Sequence, residues 1–298
     1  MSDLVNFFFR LQNAGSSSDA DKLDGYHLYA TQNPDGTFNN DGIFKVKEEG
    51  GKKVLVGILD IDEYNLSSQS SSSNPPPNPS TLDIFGDGSC IALFEFEDNT
   101  LDTGGVYNAI EAPNITYCDG KIGRAVDYYN KDHSAYIKTP IIQRNGIKEI
   151  TISAWIKVYG RTGQYVNIWH LTPNDQNYSN NSRQPALWLN PSDNTRFCLR
   201  NDGVYTLNLG IWMSQGSIQY GQWHHIVQVV TLRQMRFYID GVLTDVYDSN
   251  EDFLFNDGYF YIGDPWHIKN HAIDHVRIFL RALTDSEIQT LYNEGSQP

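Results

Sequence analysis

The sequence predicts an all-β protein, an antiparallel two-sheet sandwich or barrel closed by one short C-terminal helix. Three stretches carry that prediction. Ile150, Ile152, Ala154, Ile156 and Val158 recur at every second position, the period of a strand with one face in a core. Met235, Phe237 and Ile239 do the same. Asp240-Gly241 then tolerates the positive φ of a two-residue hairpin turn, and Val242 and Leu243 begin the return strand. Trp223 to Thr231 is apolar at both parities, as in a central strand buried on two faces.

In chain order, residues 1–66 form a small N-terminal segment. Residues 4–11 (LVNFFFRL) suit a short helix or strand. Residues 43–59 suit a hairpin: Ile43 to Val46, a turn at Gly50-Gly51, then Val54 to Leu59. A unit this small has little apolar surface to bury, so oligomerisation or docking onto a partner is expected to supply the rest. Residues 67–80, SSQSSSSNPPPNPS, cannot build a core and read as a linker, flexible at the serines and stiff at the prolines.

Residues 81–298 form the large β unit. Cys90 to Glu97 alternates, with Ala92, Phe94 and Phe96 on one face, and Tyr259–Ile262 and Ala272–Leu280 are further strands. Residues 159–220 read as a long polar and aromatic insertion. Thr284-Asp285-Ser286-Glu287 is a capping-box pattern, Ile288, Leu291 and Tyr292 fall on one helix face, and Gly295 is placed to stop the helix.

The formal net charge is −14 and the 22 Lys and Arg residues form no cluster. Such a surface repels phosphate backbones and anionic membranes, so neither nucleic acid nor membrane is an expected partner. No stretch approaches the ~20 apolar residues of a membrane span. The N-terminal MSDLVNFFFRLQNAG lacks the basic and long apolar regions of a secretory signal, so synthesis in a reducing cytoplasm is expected. Cys90, Cys118 and Cys198 are too few and too scattered for a disulfide framework or a zinc site.

Four phrases occur together and in order: IALFEFEDNTLDTGG (91–105), ITISAWIKV (150–158), GQWHHIVQVVTLRQMRFYIDGVL (221–243) and HAIDHVRIFLRALTDSEIQTLYNEG (271–295). Over about residues 88–296 they resemble the laminin-G-like, concanavalin A-like jelly-roll family. The resemblance implies two curved antiparallel sheets packed face to face. A second phrase, SSSDADKLDGYHLYA (16–30), is similar to a short motif of bacteriophage tail-fibre and tail-associated proteins. Together the two imply a phage virion protein made in the host cytoplasm. Its N-terminal segment would bind other virion proteins, and its jelly roll would be displayed on the virion surface for adhesion to host-surface carbohydrate. By analogy with fibres in general, a homo-oligomer, a trimer, is expected. The alternative is a capsid decoration or baseplate protein that binds only other virion proteins.

A glycosidase would need two carboxylates flanking the scissile bond. The Glu-x-Asp-x-Glu pattern of jelly-roll glucanases is absent, so no catalytic residue is assigned. Glu95 and Glu97 share one strand parity but belong to the first strand of the resemblance. Glu97, Asp98 and Asp102 crowd hard oxygen donors into one turn. Asp274 shares parity with Val276 and Ile278 and is expected to point inward, where a carboxylate needs a partner. The resemblance implies a structural Ca2+ held by Glu97, Asp98, Asp102 and Asp274, since such oxygens suit that ion. The alternative is that Asp274 accepts backbone N–H groups or pairs with an arginine. Sugars are read by aromatic faces beside polar groups. Tyr165, Trp169, Trp212, Trp266 and His267 are the candidates, whereas Trp155, Trp188 and Trp223 are expected to pack in the core.

Overall fold

The computed structural model describes residues 82–173, 182–203 and 212–296, together with the backbone of four strands between residues 22 and 58. The chain divides into two compact units, Met1–Pro75 and Pro76–Pro298.

In the first unit, β1 (Lys22–Leu23), β2 (Tyr26–Tyr29), β3 (Gly42–Glu49) and β4 (Lys52–Ile58) form one sheet in that order. β2 and β3 run parallel. β3 and β4 form the expected hairpin, with Glu49 opposite Lys52. The 4–11 segment and the 67–80 linker lie outside the described residues.

The second unit is a sandwich. Its larger sheet contains β5 (Cys90–Phe94), β6 (Thr116–Asp119), β7 (Arg124–Asp127), β9 (Ile150–Val158), β14 (Trp223–Val230), β15 (Gln234–Ile239), β16 (Val242–Asp248) and β18 (His271–Phe279). The order is β16-β15-β14-β9-β18-β7-β6, with β5 also on β18. The smaller sheet contains β8 (Ile137–Ile142), β10 (Val166–Thr172), β11 (Ala186–Leu189), β12 (Phe197–Arg200), β13 (Trp212–Met213) and β17 (Gly258–Ile262). Its order is β13-β12-β11-β10-β17-β8. Every pairing in this unit's named strands is antiparallel. Residues 159–220 are therefore no insertion: they supply four of the six strands of the second sheet.

The core lies between the sheets. All five alternating residues of β9 enter it, as do Met235, Phe237 and Ile239 of β15. Asp240 and Gly241 take φ of 51° and 77°, closing the hairpin with Ile239 opposite Val242. β14 is buried on both faces because a second layer covers the larger sheet. α1 (Asp285–Ser296) packs Ile288 and Leu291 against Val227, Val229, Tyr238 and Phe279. The capping box forms, with Thr284 N–H donating to Glu287 Oε2 at 2.8 Å. Gly295 does not stop the helix. It lies within the last turn because a Cβ there would come within 2.5 Å of Trp155 Nε1.

Asp274 does not share the face of Val276 and Ile278. Its side chain is buried, but a bulge between Asp274 and Arg277, with His275 at φ 47°, resets the alternation of β18. Asp274 lies directly opposite Trp155 and so shares its face, away from the inter-sheet core. Ile273 and Val276 are the residues that enter the core.

Candidate functional site

The outward face of the smaller sheet holds a polar and aromatic cluster that alternation puts there. In β10, Val166, Ile168, Trp169 and Leu171 enter the core. The intervening Asn167, His170 and Thr172 are buried outside that cluster. His170 pairs across the sheet with Ala186 on one side and Tyr261 on the other. Trp188 and Trp266 set their rings edgewise on His170 at 5.8 and 5.7 Å, and Tyr261 lies 5.3 Å from Trp266. The indole N–H of Trp188 is buried and has no hydrogen-bond partner among the described residues.

Asp264 organises the loop that carries Trp266 and His267. Its Oδ1 accepts the backbone N–H groups of both residues at 3.1 and 2.9 Å, the Asx-type geometry of a short polar side chain in a turn. His267 Nδ1 lies 2.8 Å from the same oxygen, and His170 Nδ1 lies 3.4 Å from Oδ2. His170 Nε2 meets the carbonyl of Ser182 at 2.9 Å. Burial alone would raise the carboxyl pKa of Asp264, but the hydrogen bonds to His170 and His267 outweigh it and hold the group below the usual carboxylate range. The result is a charged, fully buried anchor beneath two half-buried rings, Trp266 and His267.

The other candidates are placed differently. Trp169 is a correction: a bulge between Asn167 and Trp169 turns Ile168 and Trp169 both inward. Trp169 is fully buried, and its Nε1–H donates to Gln228 Oε1 at 2.9 Å between the sheets, where no sugar can reach it. Tyr165, just before β10, is exposed. The backbone of Trp212 pairs with Leu199 at the sheet edge, and its side chain lies outside the described residues.

Each of the four carboxylates expected to hold Ca2+ accepts at least one hydrogen bond from the protein. Asp102 accepts N–H groups from Leu93, Gly104, Val106 and Tyr107 at 2.9 to 3.1 Å. Asp274 Oδ2 accepts from Lys121 and Ile122 at 2.8 and 2.9 Å, the backbone partnership weighed as the alternative for it. Glu97 Oε1 accepts from Arg124 N–H at 3.0 Å, and Asp98 pairs with the Arg124 side chain. Among the described residues no group of three or more His, Cys, Asp or Glu side chains is arranged to hold a metal.

Sequence reasoning missed Asp264, His170 and the nearby Lys269. The first had a readable signal: Gly263-Asp264-Pro265 is turn chemistry, and the aromatic pair follows at once.

Residues 131–289, just over half of the chain, match the model of the concanavalin A-like lectin/glucanase superfamily. The chain belongs to that superfamily. No curated protein matches it. Among solved structures, this superfamily member resembles the binding domain of Paraclostridial Mosquitocidal Protein 1 (18% identity, TM-score 0.54), with 69% of this chain covering 52% of that one. It also resembles a Trypanosoma rangeli sialidase (16% identity, TM-score 0.54), with 73% covering 35%. A third is botulinum neurotoxin type C (15% identity, TM-score 0.54), whose cell entry depends on two ganglioside molecules, with 70% covering 52%. The chain thus spans about half or less of each of these three, and the likeness is one of fold.

Proposed function

We propose that the C-terminal unit is a non-enzymatic carbohydrate-binding domain that mediates adhesion to host-surface glycans. The observation that carries this reading is the aromatic cluster on the outward face of the smaller sheet. There Trp266 and His267 are partly buried over the fully buried Asp264, beside a Trp188 indole N–H that has no acceptor among the described residues. Apolar ring faces next to fixed polar groups suit pyranose rings, which present C–H faces and hydroxyl edges. Superfamily membership supports a lectin-like role, as does the likeness in fold to a neurotoxin that enters cells through gangliosides. We further propose display on a bacteriophage virion through residues 1–66, supported by the 16–30 motif and the Ser/Pro stretch. Several tethered copies would raise the avidity of a weak site by about 10²- to 10⁴-fold.

A glycan array probed with the clustered full chain, with and without EDTA, tests this. Selective binding, reduced at least tenfold by Trp266→Ala, is expected, and the EDTA arm reports any cation dependence. A folded, clustered protein that binds no glycan refutes it. Release of reducing ends from a bound polysaccharide would refute the non-enzymatic part.

The purely structural alternative draws on a different feature. Val242, Val246 and Met213 are exposed apolar residues at neighbouring sheet edges, and Met213 and Val246 line a groove of about 200 Å3. Binding to another virion protein, with no sugar bound, would favour it.

A further inference from the structure

The loop that carries the aromatic pair has a second side. A pocket of about 300 Å3 is formed by Asn130–Asp132, Arg161–Thr162 and Ile268–Asn270. Three cationic side chains, Lys131, Arg161 and Lys269, line it against one carboxylate, Asp132. That balance is opposite in sign to the whole chain, with its net charge of −14. Asp132 is also partly spent: its Oδ1 accepts the N–H and hydroxyl of Ser134 at 2.8 and 2.6 Å. Among the described residues neither Lys131 nor Arg161 pairs with a carboxylate.

Lys269 is the more telling group. Its side chain is buried, a position that is costly for an ammonium unless its charge and donors are met. Its Nζ donates to two backbone carbonyls, those of Asp264 and of Asp132, the latter at 3.2 Å. An ammonium has three N–H donors, these two bonds use two of them, and Lys269 is one of the residues that line the pocket. Burial pushes its pKa down to about 8, which a bound anion would reverse. The same Asp264 whose carboxylate orients Trp266 and His267 fixes Lys269 through its carbonyl. The ring surface and the cationic pocket therefore belong to one loop.

We propose that this pocket is an anion subsite that receives the carboxylate of an acidic sugar whose ring lies against the neighbouring aromatic face. The inference rests on the carbohydrate-binding reading and names its ligand class: uronic or sialic acid-type saccharides rather than neutral ones. Arg161 supplies a planar, two-donor contact suited to a carboxylate, Lys131 adds a partly exposed charge, and Lys269 supplies a fixed donor from beneath.

The test is titration of the 15N-labelled full chain with glucuronic acid, N-acetylneuraminic acid, glucose, sodium acetate and sodium sulfate. We expect amide shifts at residues 130–132, 160–162 and 268–270 with the two acidic sugars at concentrations at least tenfold below those needed for glucose or acetate. The Lys131→Ala/Arg161→Ala double variant should lose at least tenfold in affinity for the acidic sugars and little for neutral ones. Both substitutions are on side chains that reach solvent, and the shift map of the unaltered protein stands independently of them. Acidic and neutral sugars binding alike, with Trp266→Ala abolishing both, would overturn the subsite while leaving the lectin reading standing. Acetate and sulfate matching the acidic sugars would reduce it to a simple anion site. No sugar binding of any kind would overturn both readings.

Discussion

Asp102 separates a structural carboxylate from a metal ligand, and removing it has a calculable cost. The side chain is almost fully buried and accepts four backbone N–H bonds, from Leu93, Gly104, Val106 and Tyr107. The Leu93 bond is buried, whereas the other three are part-buried. In Asp102→Ala the Leu93 donor is stranded in the core, at about 1–3 kcal/mol. The three loop donors can turn toward water, so each loses only the net worth of its bond, about 0.5–1.5 kcal/mol. Part of that loss overlaps, because one loop relaxes as a unit. A total of about 3–4 kcal/mol is expected. Asp102→Asn keeps one acceptor oxygen but points an NH2 group at donors, so it should recover less than half of the loss. Urea unfolding followed by tryptophan fluorescence is the assay. All six tryptophans lie beyond residue 150, so the signal reports the C-terminal unit alone. The loss should be equal in EDTA and in Ca2+, because the bonds removed are to N–H groups. A loss below about 1 kcal/mol would refute the backbone role. A loss present only with Ca2+ would return Asp102 to a metal site.

Three further outcomes follow from the packing. Gly295→Ala would stabilise an ordinary helix by about 1 kcal/mol. Here it should lower the melting temperature instead, because the new Cβ meets the Trp155 ring. Trp169→Phe should cost about 1–3 kcal/mol by leaving Gln228 Oε1 without its indole donor, and should leave glycan binding unchanged. Burial lowers the pKa of both His225 and His271 to about 3. Between pH ~6.5 and ~3 the unfolded chain therefore takes up protons that these residues refuse when folded. Stability should fall as pH falls through that window, by up to about 1.4 kcal/mol per pH unit for each residue. The decline should begin well above the pH at which carboxylates titrate. Flat stability from pH 7 to 5 in urea titrations would refute neutral burial of the pair.

What the sequence made legible was set by local rules. β9, β15 and the capping box of α1 obey periodicities and turn chemistry that involve few residues, so they could be read directly. The hairpin at Asp240-Gly241 needs only two positive-φ residues in succession. The second sheet escaped because its outward face is buried as well as its inward one. His170, Trp188 and Arg200 interrupt the apolar pattern without marking a solvent face. Both misplaced side chains, Trp169 and Asp274, sit at bulges. A bulge adds one residue and reverses every parity argument beyond it, and nothing in the composition of β10 or β18 announces it. Trp266 and His267 stand out in the sequence by residue type and loop context. The cations behind them come from three segments far apart in sequence, so only the fold brings them together.

Accounting for buried polar groups distinguishes the scaffold from the site. Asp102, Asp274 and Asp240 each accept backbone N–H bonds and hold loops or turns in place. Their oxygens are committed, and no ligand is needed to explain their burial. Unpartnered atoms alone do not mark a site either. Among the described residues Arg144 and His271 both leave nitrogens without partners, yet both are fully enclosed by protein. A ligand is indicated only where an uncommitted donor borders space that a ligand can enter. Lys269 meets that condition, because it lines an open pocket beside Lys131 and Arg161, which pair with no carboxylate among the described residues. Asp264 joins the two classes of group. Its carboxylate positions Trp266 and His267, and its backbone carbonyl holds Lys269, so both halves of the proposed site depend on it. Losing Asp264 should therefore disturb ring and charge recognition together, whereas Trp266 and Arg161 variants should separate them.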